Sequence, residues 1–318
     1  MKRVFVLGGT GFVGRHVCEK LIRAGYQVTV ATRRRTAARD IMLLPGLTVL
    51  ELDVHDEQAL RLAVAGHDAL VNLVAILHGG PAAFKRVHVE LPGKIARVCV
   101  NEGVGQVVHI SALGADAEQP ERAPSNYLRS RGKGEALWLA AAQQQRARAL
   151  GDLGFALSIL RPSVIFGAQD RFLNLFASLQ KLMPVVPLAG ADARFQPVWV
   201  EDVAAAVVAV MQVQGTSRAP RTYELVGPEV FSLRDLVRLA GQLIGAGRGR
   251  GRLVIGVPMW VGRLQAAMMA LLPGEPVMTR DNLDSMRADN VASGRLPGLQ
   301  DLGIRAAALK GIASDYLR

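Results

Sequence analysis

Only two cysteines, Cys18 and Cys99, occur in the 318 residues. That is too few for a disulfide framework or for the four ligands of a structural zinc site. Aromatic residues make up 5% of the chain, and no basic strand carries a row of them. Zinc-finger spacing is also missing, so nucleic acid is not an expected partner. No apolar run approaches the roughly 18 residues of a membrane-crossing helix. The best stretch, Val203 to Met211, stops at nine. Lys2 and Arg3 are followed only by Val4–Leu7 before glycines begin, which is short for the core of a signal peptide. No Gly-x-Ser-x-Gly elbow supports a serine hydrolase, and no lysine follows the glycine turn to support nucleotide hydrolysis. His78, His88 and His109 lack metal-ligand spacing, so no metal site is expected. A cytoplasmic protein, at most peripheral at the inner face of a membrane, fits these absences.

What the chain does have is a large apolar fraction and an excess of positive charge. Half the residues are hydrophobic, and lysine and arginine outnumber the carboxylates by 11. This composition fits a folded protein of about two domains. The excess charge suits a phosphate-bearing ligand or an anionic surface. Arginines cluster at Arg33–Arg35 and again within Arg248–Arg252.

Apolar strands alternate with helical patterns through the first 160 residues. Strands are expected at Arg3–Leu7, Gln27–Ala31, Leu47–Leu52, Ala69–Ala75, Gln106–Ile110 and Phe155–Leu160. Helices are expected at Phe12–Ala24, Glu57–Val64, Pro92–Glu102 and about Asn126–Leu150. Continuous apolar strands separated by helices imply a parallel sheet covered on both faces, hence a doubly wound α/β (Rossmann) domain. That domain is placed at 1–165, completed by a later strand near 195–215. A smaller α/β substrate or partner domain occupies 166–318, with helices at Glu201–Gln212 and Leu233–Ile244. Pro258–Leu272 reads as an apolar helix, either completing the second core or facing a membrane surface.

Gly8-Gly9-Thr10-Gly11-Phe12-Val13-Gly14 follows the first strand and opens the first helix, the setting of a dinucleotide-binding turn. Gly8 permits the tight turn and Gly11 the close approach of pyrophosphate. Gly14 permits helix–sheet packing, and the helix N-terminus favours negative charge. The second strand ends in Thr32-Arg33-Arg34-Arg35 with no carboxylate before Asp40. Arg33 and Arg34 match a 2′-phosphate, so NADP(H) is favoured over NAD(H).

The three-residue glycine spacing, with the segments below, resembles the extended short-chain dehydrogenase/reductase superfamily. The resemblance implies that Asp53 and Val54 meet the adenine, that Leu73, Val74 and Ala75 back the ribose, and that Pro162, Ser163 and Val164 line the nicotinamide pocket. VNLVAILHG, VHISALGA, PSNYLRS, RPSVIFG, FQPVWVEDVA and TRDNLDSM are similar to an atypical branch of that superfamily. The branch includes a nucleotide-binding accessory subunit of mitochondrial complex I and its bacterial relatives.

The superfamily's catalytic pair is a tyrosine and a lysine four residues on, brought to one helix face. Tyr127 stands in the first place and Arg131 in the second. A guanidinium supplies charge but does not exchange its proton near neutrality. Ser111 is the candidate hydroxyl, and His88 falls where a helix asparagine often completes the site. The resemblance therefore implies Tyr127, Arg131 and Ser111 as catalytic positions, with Tyr127 and Arg131 also touching the cofactor. Two functions follow. One is a nucleotide held for structure or regulation at a quinone-linked membrane assembly. The other is an active NADP-dependent oxidoreductase or epimerase acting on a small carbonyl, quinone-like or nucleotide-sugar substrate.

Overall fold

The computed structural model describes residues 2–148, 154–213, 219–269 and 278–317. The first half contains β1 (Arg3–Leu7), α1 (Phe12–Arg23), β2 (Gln27–Thr32), β3 (Leu47–Glu51), α2 (Glu57–Val64), β4 (Ala69–Asn72), α3 (Pro81–Lys85), α4 (Leu91–Asn101), β5 (Gln106–Ile110), α5 (Asn126–Arg148) and β6 (Ala156–Pro162). The second half contains β7 (Ile165–Phe166), α6 (Leu173–Leu182), β8 (Val185–Ala189), β9 (Arg194–Phe195), β10 (Val198–Trp199), α7 (Val200–Gln212), β11 (Arg221–Leu225), β12 (Phe231–Ser232), α8 (Leu233–Leu243), β13 (Leu253–Val257), α9 (Met259–Met269), α10 (Arg280–Ser285) and α11 (Leu309–Tyr316).

Seven parallel strands form the central sheet in the order β11-β6-β5-β4-β1-β2-β3. Both faces of each inner strand are buried, as the unbroken apolar runs require. In β1, Val4 and Val6 join one core with Val17 and Leu21 of α1 and Val203 and Val207 of α7. Phe5 and Leu7 point the other way, into a core with Leu60, Ile95 and Trp138 from α2, α4 and α5. The period of two in a strand thus divides one sequence between two cores. A third core joins α6, α8 and α11 with β8, around Phe176, Leu236 and Ala313, and makes the smaller C-terminal α/β part.

Three expected elements differ. The strand that completes the sheet is β11, beyond the 195–215 window. Within that window residues 200–212 form α7, the helix expected over Glu201–Gln212, with Glu201 and Asp202 in its first turn, where carboxylates favour a helix. This helix packs on α1, so FQPVWVEDVA leads back to the main sheet. The strand expected over Ala69–Ala75 ends at Asn72, because Asn72 Oδ1 accepts the Val74 N–H at 3.1 Å and turns the chain out of the ladder. Pro92 does not start a helix: helical backbone begins at Pro81, and 86–90 form one wide π turn. Residues 149 and 150 of the long helix, and 270–272 of the Met-rich one, lie outside the described residues.

Candidate functional site

The sheet's carboxyl edge assembles the site. Gly8 has φ +80°, and a Cβ there would lie 3.1 to 3.2 Å from the backbone of Leu73 and Val74. Only glycine combines that conformation with that contact. At Gly14 a Cβ would stand 2.2 Å from the Gly8 carbonyl oxygen and 2.6 Å from Gly9 Cα. Between them α1 opens at Phe12, with neither a side-chain cap nor a first-turn carboxylate. Its first N–H groups are therefore left for an anion. Thr10 and Val13 are half-buried around this turn. The Phe12 ring reaches Gly167, where a Cβ would be 3.2 Å from it, so the turn meets the segment after β6.

At the end of β2, Arg33 and Arg34 are exposed. Thr32 Oγ1 donates to the Arg34 carbonyl at 3.1 Å, which shapes the bend. Asp53 is exposed and accepts the His55 N–H at 3.0 Å, while Val54 is half-buried. The His55 imidazole is held below its ordinary pKa by burial and by the charges of Arg86, Lys94 and Arg33, against the opposing pull of Asp53. Lys94 Nζ also donates to the His55 carbonyl at 2.7 Å. Arg33, singled out in the sequence, is joined around His55 by Arg86 and Lys94 from the helical segment before and within α4.

Leu73, Val74 and Ala75 leave β4 beside the glycine turn, the first two half-buried and Ala75 exposed. On the far side, Ser111 N–H donates to the Leu160 carbonyl at 2.7 Å, but its buried Oγ has no partner. Arg131 is 2% exposed. Its Nη2 donates to the Ile110 carbonyl, its buried Nε is unpartnered, and no carboxylate pairs with it among the described residues. A buried cation without a counter-ion beside an orphaned hydroxyl is costly unless a polar ligand completes both.

Tyr127 sits in the first turn of α5, its ring against Phe84 and His88 with centroids 6.0 and 5.5 Å away. Its Oη has no hydrogen-bond partner among the described residues. Asp281 of α10 fixes this helix start: its carboxylate accepts the N–H groups of Asn126 and Tyr127 at 2.8 and 3.0 Å. Asp281 is a positioning residue that sequence reasoning did not single out, although it lies within TRDNLDSM.

His88 is buried and wired. Its Nε2 accepts the Ile76 N–H at 3.1 Å, so the proton sits on Nδ1, which donates to Ser130 Oγ at 2.9 Å. Ser130 in turn donates to the Tyr127 carbonyl at 2.7 Å. Burial, reinforced by the charge of Arg131, pushes the His88 pKa down to about 3. His109, which accepts from Asn72 Nδ2 at 3.2 Å, is pushed well below the usual histidine range by burial and then by Arg131 and His88. The pocket floor thus carries one permanent positive charge and two neutral imidazoles.

The Pro162–Val164 segment is tied into the fold. Leu113 N–H donates to the Pro162 carbonyl at 2.9 Å. Asn290 Oδ1 accepts from Ser163 Oγ and from the Val164 N–H at 2.5 and 3.1 Å. The Ser163 hydroxyl is therefore committed to the fold. Below it, Glu135 (0% exposed) takes the Arg161 guanidinium in a two-pronged ion pair.

Away from this edge, α1 and α7 bring His16, Glu19 and Glu201 close enough that their ligand atoms lie within 4.8 Å of one another. Lys20 Nζ already binds the Glu201 carboxylate at 2.7 Å and competes there with any cation.

A doubly wound parallel sheet, a three-glycine turn and a tyrosine helix converging on one edge define the extended dinucleotide-binding class of α/β proteins. Residues 4–225 match the NAD dependent epimerase/dehydratase family, and the chain belongs to it. It is 31% identical to the Mus musculus NADH dehydrogenase (ubiquinone) 1 alpha subcomplex subunit 9, mitochondrial, over 98% of this chain and 79% of that one. It is 25% identical to a 2-alkyl-3-oxoalkanoate reductase of Stenotrophomonas maltophilia over 87% of each chain. Among solved structures, the dTDP-glucose 4,6-dehydratase of Streptomyces venezuelae with NAD and TYD bound is similar in fold. Its TM-score is 0.74 at 19% identity, covering 99% of this chain and 96% of that one.

Proposed function

We propose that this chain holds NADP(H) at the sheet's carboxyl edge as a structural or regulatory nucleotide, at a quinone-linked assembly of the kind its subunit 9 relatives are named for. The pyrophosphate lies on the Gly8–Gly14 turn and the free N-terminus of α1. The 2′-phosphate faces Arg33, with Arg34 at the same bend and Arg86 and Lys94 adding positive charge behind it. Leu73–Ala75 back the adenosine side, with Asp53 and Val54 near the base. Pro162–Val164 close the far end. Ser111 Oγ and Arg131 Nε, both buried and unpartnered, are the donors left for the nicotinamide riboside. The bound nucleotide would supply hydride chemistry; the chain's own groups decide whether it is used.

The observation that carries the held-nucleotide reading is Arg131. A Tyr–Lys pair works because the ammonium sits beside the phenol and passes protons. Arg131 stays protonated, and it spends a donor on the Ile110 carbonyl. The neutral His88 uses both ring nitrogens on Ile76 and Ser130, so it offers no substitute path. Arg131→Lys is expected to keep the fold and to raise NADPH consumption with a soluble quinone or a small carbonyl panel by about a hundredfold, the low end of general acid–base effects. Absorbance at the reduced-nicotinamide band measures it. A fast wild type slowed by the same change would sink this reading.

A second reading, an active reductase, draws on one feature. The Tyr127 hydroxyl is free of partners among the described residues, and the Stenotrophomonas relative is named as a reductase. The same assay separates the two.

A further inference from the structure

We propose that the outer face of α9, with the hollow beside it, docks on an anionic phospholipid surface. The inference goes beyond the nucleotide reading and does not depend on it. α9 is two-faced. Gly262 and Ala266 lie inward; a Cβ at Gly262 would be 2.4 Å from Ala189 Cβ, and Ala266 packs with Ala189 and Leu283. Trp260, Leu264 and Met268, four residues apart, therefore share the opposite face. They are 68%, 56% and 62% exposed. A row of three large apolar side chains on one exposed helix face marks an interaction site more often than chance solvent exposure.

Charge says what kind of surface fits. Trp260 and Leu264 line a hollow of about 630 Å³ together with Arg263, Ala267, Arg280 and Asp284. Asp284 is already matched by Arg263 at 2.9 Å, and Arg280 has no ion pair among the described residues. An unbalanced guanidinium thus stands at the rim of an apolar face, where a phosphate headgroup would sit above lipid tails.

The loop before β13, the strand that leads into α9, adds three more guanidinium groups to this part of the chain. Arg248, Arg250 and Arg252 are exposed and make no ion pair among the described residues. Their loop is held rather than loose: Gln180 Oε1 accepts the Arg252 N–H at 2.6 Å, and the Gly251 N–H donates to the Ala246 carbonyl at 3.0 Å. Arg248 adopts φ +59°, between glycines at +58° and +80°. No helix among the described residues is long and apolar enough to cross a membrane, so attachment would be peripheral.

Tryptophan emission reads the docking directly. Trp138 is fully buried and Trp199 half-buried, so Trp260 is the indole most open to a changing environment. The intact protein is mixed with vesicles of phosphatidylcholine, with or without a third of phosphatidylglycerol, in low and high salt. Flotation is scored alongside emission. Binding to the anionic vesicles with a blue shift is expected, weakened several-fold by half-molar salt. Arg250→Ala and Arg280→Ala are each expected to lower partitioning about fivefold. Trp260→Ser with Leu264→Ser, both at exposed positions, is expected to abolish it while leaving the melting temperature unchanged. Protein that stays in the soluble fraction with anionic vesicles at low salt overturns the proposal. So does equal binding to neutral vesicles. A blue shift that grows with protein concentration without lipid overturns it too, by making the face a contact between copies of this chain. The assay needs no nucleotide, so its failure leaves the NADP(H) reading standing, and the converse holds.

Discussion

Gly14→Ala is expected to destabilise the chain by about 3 kcal/mol and to remove nucleotide binding together with it. Inserted bulk in a packed interior usually costs ~1–3 kcal/mol, and the upper end applies when the neighbours cannot turn aside. Here the neighbours are backbone: the new Cβ would stand 2.2 Å from the Gly8 carbonyl oxygen and 2.6 Å from Gly9 Cα. Neither can rotate away as a side chain would. Relief requires α1 to lift off the end of β1, which displaces the N–H groups proposed to hold the pyrophosphate. Gly25→Ala is a suitable comparison, since no atom lies within 4 Å of its added Cβ although its φ is +87°. It carries the strain of a left-handed backbone alone, about 1 kcal/mol, and should leave binding intact. Denaturant melts and nucleotide titrations of both variants make the test. A Gly14→Ala protein that melts and binds like the wild type would contradict the packing of this turn.

Acid is expected to weaken the fold well before the carboxylates titrate. His88 sits near pKa 3 in the folded chain, against roughly 6.5 when unfolded. Below pH 6.5 the unfolded chain takes up a proton that the folded one refuses, so stability is full above that pH and falls as pH drops towards 3. At ~1.4 kcal/mol per pH unit the loss reaches on the order of 3 kcal/mol by pH 4. His109, shifted in the same direction by burial, steepens the slope. His88→Gln should flatten part of it. Its amide can accept from Ile76 N–H and donate to Ser130 Oγ without titrating. Urea melts at pH 7, 6 and 5 read the effect, and a stability unchanged over that range would mean that His88 gains a proton in the folded state.

The sheet and its flanking helices were largely legible because the strands are mostly apolar runs bounded by punctuation and the helices keep their own apolar period. Arg3–Leu7, Glu57–Val64 and Gln106–Ile110 have the same limits in sequence and structure. The glycine turn was legible for the same reason, being local. What escaped was set by partners far along the chain. Pro92 reads as a helix start, yet the wide turn at 86–90 places it inside a longer helical run. The strand placed near 195–215 lies instead at Arg221–Leu225, after the helix expected over Glu201–Gln212, whose apolar stripe faces α1 and the sheet from outside. In the site, a spacing of four put Tyr127 and Arg131 on one helix face, but spacing carries no information on where a guanidinium ends. It reaches Ile110, at the end of strand β5. Asp281 and Asn290 work at separations of 154 and 126 residues from Tyr127 and Val164. No local pattern encodes such contacts.

Thermal and urea unfolding of the wild-type chain with NADPH, with NADH and without nucleotide is the most direct test of the central proposal. NADPH at 100 times its dissociation constant is expected to stabilise the fold by about 2.7 kcal/mol, and the same concentration of NADH by clearly less. The difference should shrink when Arg33 and Lys94 are replaced by glutamine. No shift with either nucleotide would contradict binding at the Gly8–Gly14 turn, and equal shifts would contradict the role given to the cations around His55.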